Sequence, residues 1–405
     1  MGPRGRRGDG FTWRGRRQKV KQVPQFRFQG AQSNSSTAIG RSARQAVNNR
    51  LTEALSASPI SAVDLFCGAG GLTYGLQQAG IKVKAGIDVD EQAKHAFVTN
   101  NAGAEFLCWD VARKKTPSIA KLYDKDKIRL LAGCAPCQPF SRLTNGIQKH
   151  EAWNLLDNFG RFVEGILPEL VTMENVPELA DRGAEVFNRF LRTLERNGYS
   201  VDWKLVRCVE YGIPQARRRL VLLASRLGPI AIPKGRYQCA GQWKTVRETI
   251  GDLPPIASGE QDPNDPLHVA AQLSQTNLKR IRATRPDGGT RRDWPDDLVL
   301  DCHRKESGKS YGSIYARMWW DQPSPTMTTL CTGIGNGRFG HPEQNRAITL
   351  REAALFQSFP RRYEFWPREQ KLNRKAVGRM IGNAVPPKLA NALGEALLAH
   401  VSVLR

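Results

Sequence analysis

The chain has 405 residues, 40% of them hydrophobic, with a formal net charge of +23 and a sequence pI near 10.0. That length and apolar content exclude a mini-protein and a mainly disordered chain, and they suit two or three domains. So large a positive excess points to a polyanionic partner, nucleic acid before an anionic membrane surface. No apolar run approaches the roughly 18 residues of a spanning helix and no secretory segment follows the basic start, so a soluble, cytoplasmic, nucleoid-associated protein is expected.

Residues 1–58 read as a basic, disordered tail: positions 1–50 hold 12 Lys and Arg and a single Asp. Two readings of it stay open, an arm that tracks nucleic acid and a segment without function. From Ile60 short apolar runs alternate with helical periods, the pattern of βαβ units on a parallel sheet. Strands are predicted at Ser61–Phe66, Val83–Ile87, Phe106–Cys108, Arg129–Gly133 and Leu170–Met173. Helices are predicted at Gly71–Gln78, Glu91–Thr99, Trp153–Ile166 and Val186–Asn197, and Val201–Arg207 with Arg219–Ala224 forms a hairpin-like pair. Between Leu227 and Gln344 the alternation fails and Pro, Gly, Arg and Trp take over, which predicts a smaller, irregular second domain. Helical patterning returns at Leu350–Gln357 and Leu389–Val401. The expected division is therefore 1–58, 59–226, 227–344 and 345–405, the last part returning to the first α/β domain.

Two segments carry chemistry. Asp64-Leu65-Phe66-Cys67-Gly68-Ala69-Gly70-Gly71 places Gly68, Gly70 and Gly71 at a strand-to-helix turn where a ligand can approach the backbone closely. The spacing is not the G-x-G-x-x-G of a dinucleotide site, so an oxidoreductase fits poorly. Asp88, ending the second strand, suits ribose hydroxyls, and Asp110, after the third, suits an adenine amine; helix caps are the competing reading for both. The pattern favours an adenosine-bearing ligand. Gly133-Cys134-Ala135-Pro136-Cys137-Gln138-Pro139-Phe140-Ser141 follows the fourth strand, at the carboxyl edge where open α/β sheets bind ligands. No second C-x-x-C completes a zinc site, so no metal is expected. The two prolines favour an extended loop over the helix start of a redox pair. Cys137 is therefore read as a nucleophile, and the other seven cysteines as small buried hydrophobes.

With these two segments, Met173-Glu174-Asn175-Val176, Gln215-Ala216-Arg217-Arg218-Arg219 and Gly382-Asn383-Ala384-Val385 stand in the order found in DNA (cytosine-5) methyltransferases, which the chain resembles in their bacterial form. The resemblance covers about Ala62–Ala224 and Arg346–Ala399. It implies a doubly wound, Rossmann-like α/β methyltransferase domain with a smaller irregular target-recognition domain between the two stretches. It implies methyl transfer from S-adenosylmethionine to carbon 5 of a flipped cytosine in a specific double-stranded DNA sequence, through a covalent cysteine adduct. The catalytic set becomes Cys137, Glu174, Arg217 and Arg219. Carbon 5 of cytosine is a weak nucleophile until a thiolate adds at carbon 6, and an acid at Glu174 relieves the charge that builds at N3. Arg217 is expected to bind the base and the backbone near the thiolate, Arg219 to brace Glu174, and both to lower the thiol's pKa. Arg218, between them, points the other way on an extended strand.

Cofactor contacts are expected from Phe66, Gly68, Gly70, Gly71, Asp88, Asp110, Leu155 and Asn383, and substrate contacts from Gln138, Ser141, Gln215 and Thr328. The sequence departs from the common family pattern at Asp88, where Glu is usual, at Val89, where an aromatic often stacks on adenine, and at Ala216, often Lys. Phe66 and Leu155 remain as apolar contacts to adenine. Lys279, Arg280, Arg282, Arg285, Arg291 and Arg292 suit phosphate and groove contacts. RNA cytosine methylation fits poorly, because no second cysteine lies between Cys137 and Cys208 and Leu330-Cys331-Thr332 differs from the Cys-Phe-Thr of tRNA-methylating relatives. A regulator that kept the fold but lost turnover is disfavoured by the intact catalytic set. The expected partners are double-stranded DNA and a cognate restriction endonuclease, and the expected state is a monomer.

Overall fold

The computed structural model describes Glu53 and residues 55–136, 154–305 and 312–403. All of these belong to one compact unit spanning Val47–Arg405. Of the predicted tail, Glu53 and residues 55–58 are described, and Leu55 and Ser58 are buried, so packed chain begins a few residues before the predicted boundary; the rest of the tail, with Cys137, Gln138 and Ser141, lies outside the described residues.

Seven strands form one sheet: β1 (Ile60–Leu65), β2 (Lys82–Asp88), β3 (Glu105–Cys108), β4 (Ile128–Gly133), β5 (Leu170–Asn175), β6 (Ser200–Arg207) and β7 (Arg218–Ser225). Their order is β3-β2-β1-β4-β5-β7-β6. The first five are parallel, and β7 runs antiparallel between β5 and β6. The predicted hairpin is thus present, with its second strand inside and β6 at the edge. All six residues of β1 and of β5 are buried, as strands covered on both faces require.

Alternation along β1 divides the core. Ile60 and Ala62 face α1 (Gly71–Ala79), α2 (Lys94–Asn100) and a long C-terminal helix, through Leu72, Leu76, Phe97, Leu389 and Leu393. Val63 and Leu65 face α3 (Thr116–Ala120), α4 (Asn154–Ile166) and α5 (Ala184–Arg196), through Ile119, Phe159, Phe162 and Phe190. This is the doubly wound arrangement, helices on both faces of a mainly parallel sheet.

Beyond Leu227 the described chain holds α6 (Val246–Ile250), α7 (Gln275–Ala283), α8 (Asp301–Arg304), several 3-10 turns and isolated bridges. Val246, Leu267, Met318, Met327 and Phe339 share one core with Leu350, Phe356 and Ile381. The irregular segment is therefore packed onto the helices that follow it. Those are α9 (Leu350–Phe356), α10 (Arg374–Asn383) and α11 (Pro387–Val403), the last being the long helix that lies on α1. The helical pattern at α10 went unread because Gly378 and Gly382 depress helix propensity. Both serve close approach: a Cβ at Gly378 would come within 3.0 Å of the Thr329 carbonyl oxygen, and one at Gly382 would overlap the Thr328–Thr329 backbone.

Candidate active site

The ends of β1, β2, β4 and β5 converge at the carboxyl edge of the sheet. After β1 the chain enters a tight turn in which Phe66 has φ +60°, Gly68 +49° and Gly70 +87°. Such angles cost little at glycine and are uncommon for Phe66. Three contacts hold the turn. The Gly68 amide donates to Asp88 Oδ2 at 2.9 Å, the Cys67 amide to the Ile87 carbonyl at 3.1 Å, and the Tyr363 hydroxyl to the Ala69 carbonyl. Beneath it the Thr73 hydroxyl donates to Asp64 Oδ2 at 2.7 Å, while Asp64 Oδ1 is buried without a hydrogen-bond partner. Burial, above all, lifts the Asp64 carboxyl to about 7, with the Asp88 charge adding and the Thr73 hydrogen bond opposing.

The three glycines serve different ends. A Cβ at Gly68 would meet nothing within 4 Å, so space opens beside the turn there. At Gly70 it would overlap Asn101, and at Gly71 the Val385 carbonyl oxygen, so these two let α2 and the Gly382–Val385 segment close on the turn. Asp88 also accepts from the Asp90 amide at 2.9 Å through Oδ1, and burial raises its pKa. Asp110 caps a 3-10 turn, accepting from the Ala112 amide at 2.9 Å and pairing with Arg113, so the capping reading is realised. Leu155 and Phe66 are half-buried, and Val89 is exposed.

On the neighbouring strands, Gly133 of β4 pairs with Met173 of β5, which sets the segment leading to Cys137 beside Glu174. Glu174 is only 3% exposed. Its Oε1 lies 2.8 Å from Arg219 Nε, an ion pair without hydrogen-bond alignment, and its Oε2 accepts from Cys134 Sγ at 3.0 Å. Asn175 donates to the Ala135 carbonyl at 3.1 Å and fixes the start of the same loop. Arg217 is buried, donating to the Met327 carbonyl at 2.9 Å and the Gly382 carbonyl at 3.1 Å, with Nε unpartnered. Burial, and then the adjacent Arg219, lowers its pKa to about 10. Arg218, on the other face of β7, is exposed as predicted.

Gln215 is fully buried, its amide donating to the Phe356 carbonyl and Gln357 Oε1 and accepting from the Met327 amide. It joins three segments behind the site. Thr328 and Asn383 are exposed. The structure thus gathers Phe66, Gly68 and Asp88 at one turn, and Glu174, Arg217 and Arg219 at the next strands. Asp110 stands on the β3 side, occupied by its cap. Sequence reading missed Thr73, Asn175, Met327 and Tyr363, whose parts are played by backbone groups or by partners distant in the chain. The buried-hydrophobe reading of the cysteines holds for Cys67, Cys208 and Cys331, but Cys108, Cys239 and Cys302 are exposed and Cys134 hydrogen-bonds Glu174. Among the described residues no cluster of potential ligands could hold a metal ion.

The family model for C-5 cytosine-specific DNA methylases matches residues 60–399. The chain belongs to that family. It is 47% identical over 337 residues to the Type II methylase M.HgiDII of Herpetosiphon aurantiacus, covering 83% of this chain and 94% of that one. It is 30% identical over 363 residues to the Type II methyltransferase M1.BsuMI of Bacillus subtilis (strain 168), covering 86% and 82%. A solved E. coli structure, described as a DNA modification methyltransferase encoded within a prophage, aligns with a TM-score of 0.62 at 20% identity, over 85% of this chain and 99% of that one, a likeness of fold. The chain is therefore a C-5 cytosine DNA methyltransferase of bacterial type with a Rossmann-like α/β fold, and the site at the carboxyl edge of β1, β2, β4 and β5 is this methyltransferase's candidate active site.

Proposed function

We propose that this methyltransferase uses Cys137 as a covalent nucleophile on a cytosine flipped out of a specific double-stranded DNA sequence, with S-adenosylmethionine as methyl donor. The observation that carries the reading is Glu174: a carboxyl group 3% exposed at the end of β5, paired with Arg219, beside the strand whose continuation bears Cys137. A buried acid is held there at the cost of its hydration, which is reasonable where a base must be protonated or hydrogen-bonded away from water. In the reaction the Cys137 thiolate forms a bond to carbon 6, and the displaced electron pair makes carbon 5 nucleophilic while Glu174 takes up the charge at N3. Once carbon 5 carries the methyl group, its proton passes to water, the electrons of that carbon–hydrogen bond re-form the C5–C6 double bond and expel the Cys137 thiolate, and N3 returns its proton to Glu174. The target base leaves the stack because carbon 5 is unreachable within a duplex.

The residues present fit the cofactor. Gly68 borders open space at the turn after β1, Asp88 is within reach of that turn, and half-buried Phe66 supplies apolar surface there. When bound, S-adenosylmethionine supplies the methyl group. Gly70, Gly71 and Tyr363 shape the turn, and Arg217 and Gln215 hold the Met327 segment against α10. We assign 59–226 and 345–405 to catalysis and cofactor binding, 227–344 to target recognition, and 1–58 to a basic tail. The Type II names of the relatives support a cognate restriction endonuclease as partner, and we assign the enzyme to the cytoplasm as a monomer. No helix among the described residues is long and apolar enough to cross a membrane.

Transfer of tritium from labelled S-adenosylmethionine to DNA tests the assignment. The wild type labels duplex DNA, whereas folded, DNA-binding Cys137→Ser and Glu174→Gln transfer none and far less, respectively. Measurable turnover by Cys137→Ser would remove Cys137 from the nucleophile role. Bisulfite sequencing of host DNA then gives the recognition sequence.

A further inference from the structure

Cys134 lies three residues before the proposed nucleophile, and its own chemistry is unused by the mechanism above. Its amide donates to the Leu65 carbonyl at 3.3 Å, extending the pairing of β4 with β1 past Gly133. This fixes its Cα at the sheet edge. Gly133 makes that course possible, because a Cβ there would come within 2.9 Å of the Leu65 carbonyl oxygen. From this anchored position the half-buried Cys134 sends its thiol 3.0 Å from Glu174 Oε2.

The two oxygens of Glu174 are thus treated differently. Oε1 faces the Arg219 guanidinium at 2.8 Å, without hydrogen-bond alignment, and Oε2 receives the S–H. Arg219 supplies charge, and the thiol supplies direction. A carboxylate free to rotate about its last torsion would present its oxygens to an incoming base in many planes, since that torsion is broad. A donor on one oxygen, from a side chain whose backbone is locked into the sheet, selects one plane. We propose that Cys134 is a positioning residue for methyl transfer, holding the Glu174 carboxylate in the plane that meets the target base. The inference rests on the proposed role of Glu174.

Single-turnover methyl transfer at saturating DNA and S-adenosylmethionine tests it, with Cys134 as Cys, Ser or Ala, each combined with Glu174 or Glu174→Gln. Loss of one hydrogen bond to a charged group predicts that Cys134→Ala slows transfer roughly tenfold, with dissociation constants for both ligands within about twofold. Cys134→Ser keeps a donor on the same Cβ and recovers the rate to within about threefold of wild type. On the Glu174→Gln background the alanine penalty falls below about twofold, because the partner it acts through is altered. Thermal melting of each variant confirms that the rates compare folded enzymes. Three results would overturn the inference alone: an unslowed Cys134→Ala, a serine variant as slow as the alanine one, or an equal alanine penalty on both backgrounds. A Glu174→Gln enzyme with wild-type rate would instead overturn the reading of Glu174, and this inference with it.

Discussion

Glu352, in the first turn of α9, and Arg346 form an ion pair whose side chains are both 0% exposed, with two contacts of 2.8 Å. Glu352 also accepts from the Thr349 amide at 2.7 Å, closing a capping box with the Thr349 hydroxyl. Burial pushes the Glu352 carboxyl up, but the charge and hydrogen bonds of Arg346 outweigh it and hold the group down at about 2, below its ordinary 4.5. A shift of that size corresponds to about 3 kcal/mol favouring the charged form in the folded protein. Replacing the carboxylate with an amide leaves the Arg346 guanidinium buried without its counter-charge, a change that costs roughly 3–5 kcal/mol in comparable pairs. The two routes agree. Glu352→Gln should therefore lower the urea midpoint by an amount equivalent to about 3–4 kcal/mol at pH 7. The sign with pH is also fixed. A depressed folded pKa contributes its full stability above the ordinary value of 4.5 and loses it as pH falls towards about 2, so the gap between wild type and variant narrows across that window. Asp321→Asn is the control, because its 2.7 Å pair with Arg247 has side chains 68% and 54% exposed and should leave the midpoint unchanged within error. If Glu352→Gln shifted the midpoint no more than Asp321→Asn, the reasoning from burial would be refuted.

Asp64 has the opposite linkage: its folded pKa of about 7 exceeds the ordinary 3.8, so the folded chain keeps a proton that the unfolded chain releases, and stability falls as pH rises through that window. Asp64→Asn, which can still accept from Thr73, should match wild type near pH 4 and gain on it up to pH 8, by at most about 4 kcal/mol; thermal melts that stay parallel across this range would contradict the assignment. Deleting Met1–Pro59 removes 12 of the basic residues and none of the matching blocks. The truncated enzyme should keep its target sequence and its turnover at saturating DNA, while non-specific binding weakens and its dependence on log salt becomes shallower. A changed target cytosine, read by bisulfite sequencing, would place the tail in the catalytic machinery.

The sheet was legible because its strands are short apolar runs between glycine and polar turns, and no observed limit differs from the predicted one by more than two residues. The insertion of β7 between β5 and β6 was not, because spatial order leaves no trace in a local pattern. α3 was missed because its five residues complete barely one turn, and α10 because its glycines serve packing. In the site, Glu174 and Arg219 were readable as a pair only through the family resemblance, because the adjacency of β5 and β7 that brings them together is not written in either segment. Gln215 and Arg217 were readable as special but not in role: their partners, Met327, Phe356 and Gly382, lie more than 100 positions away and contribute backbone carbonyls or amides that any residue type would supply. Cys134 was set aside because its chemistry depends on one contact across the sheet.

The proposed mechanism turns on a covalent bond between Cys137 and carbon 6 of the target cytosine. A duplex carrying 5-fluorocytosine at the methylated position, incubated with enzyme and S-adenosylmethionine, tests it directly, because fluorine at carbon 5 cannot leave as a proton and the adduct cannot resolve. A denaturant-resistant complex should form, mass spectrometry of its peptides should place the modification on Cys137, and Cys137→Ser should form none. Methylation of the unfluorinated duplex with no trapped complex, or a complex mapped to another residue, would contradict the mechanism.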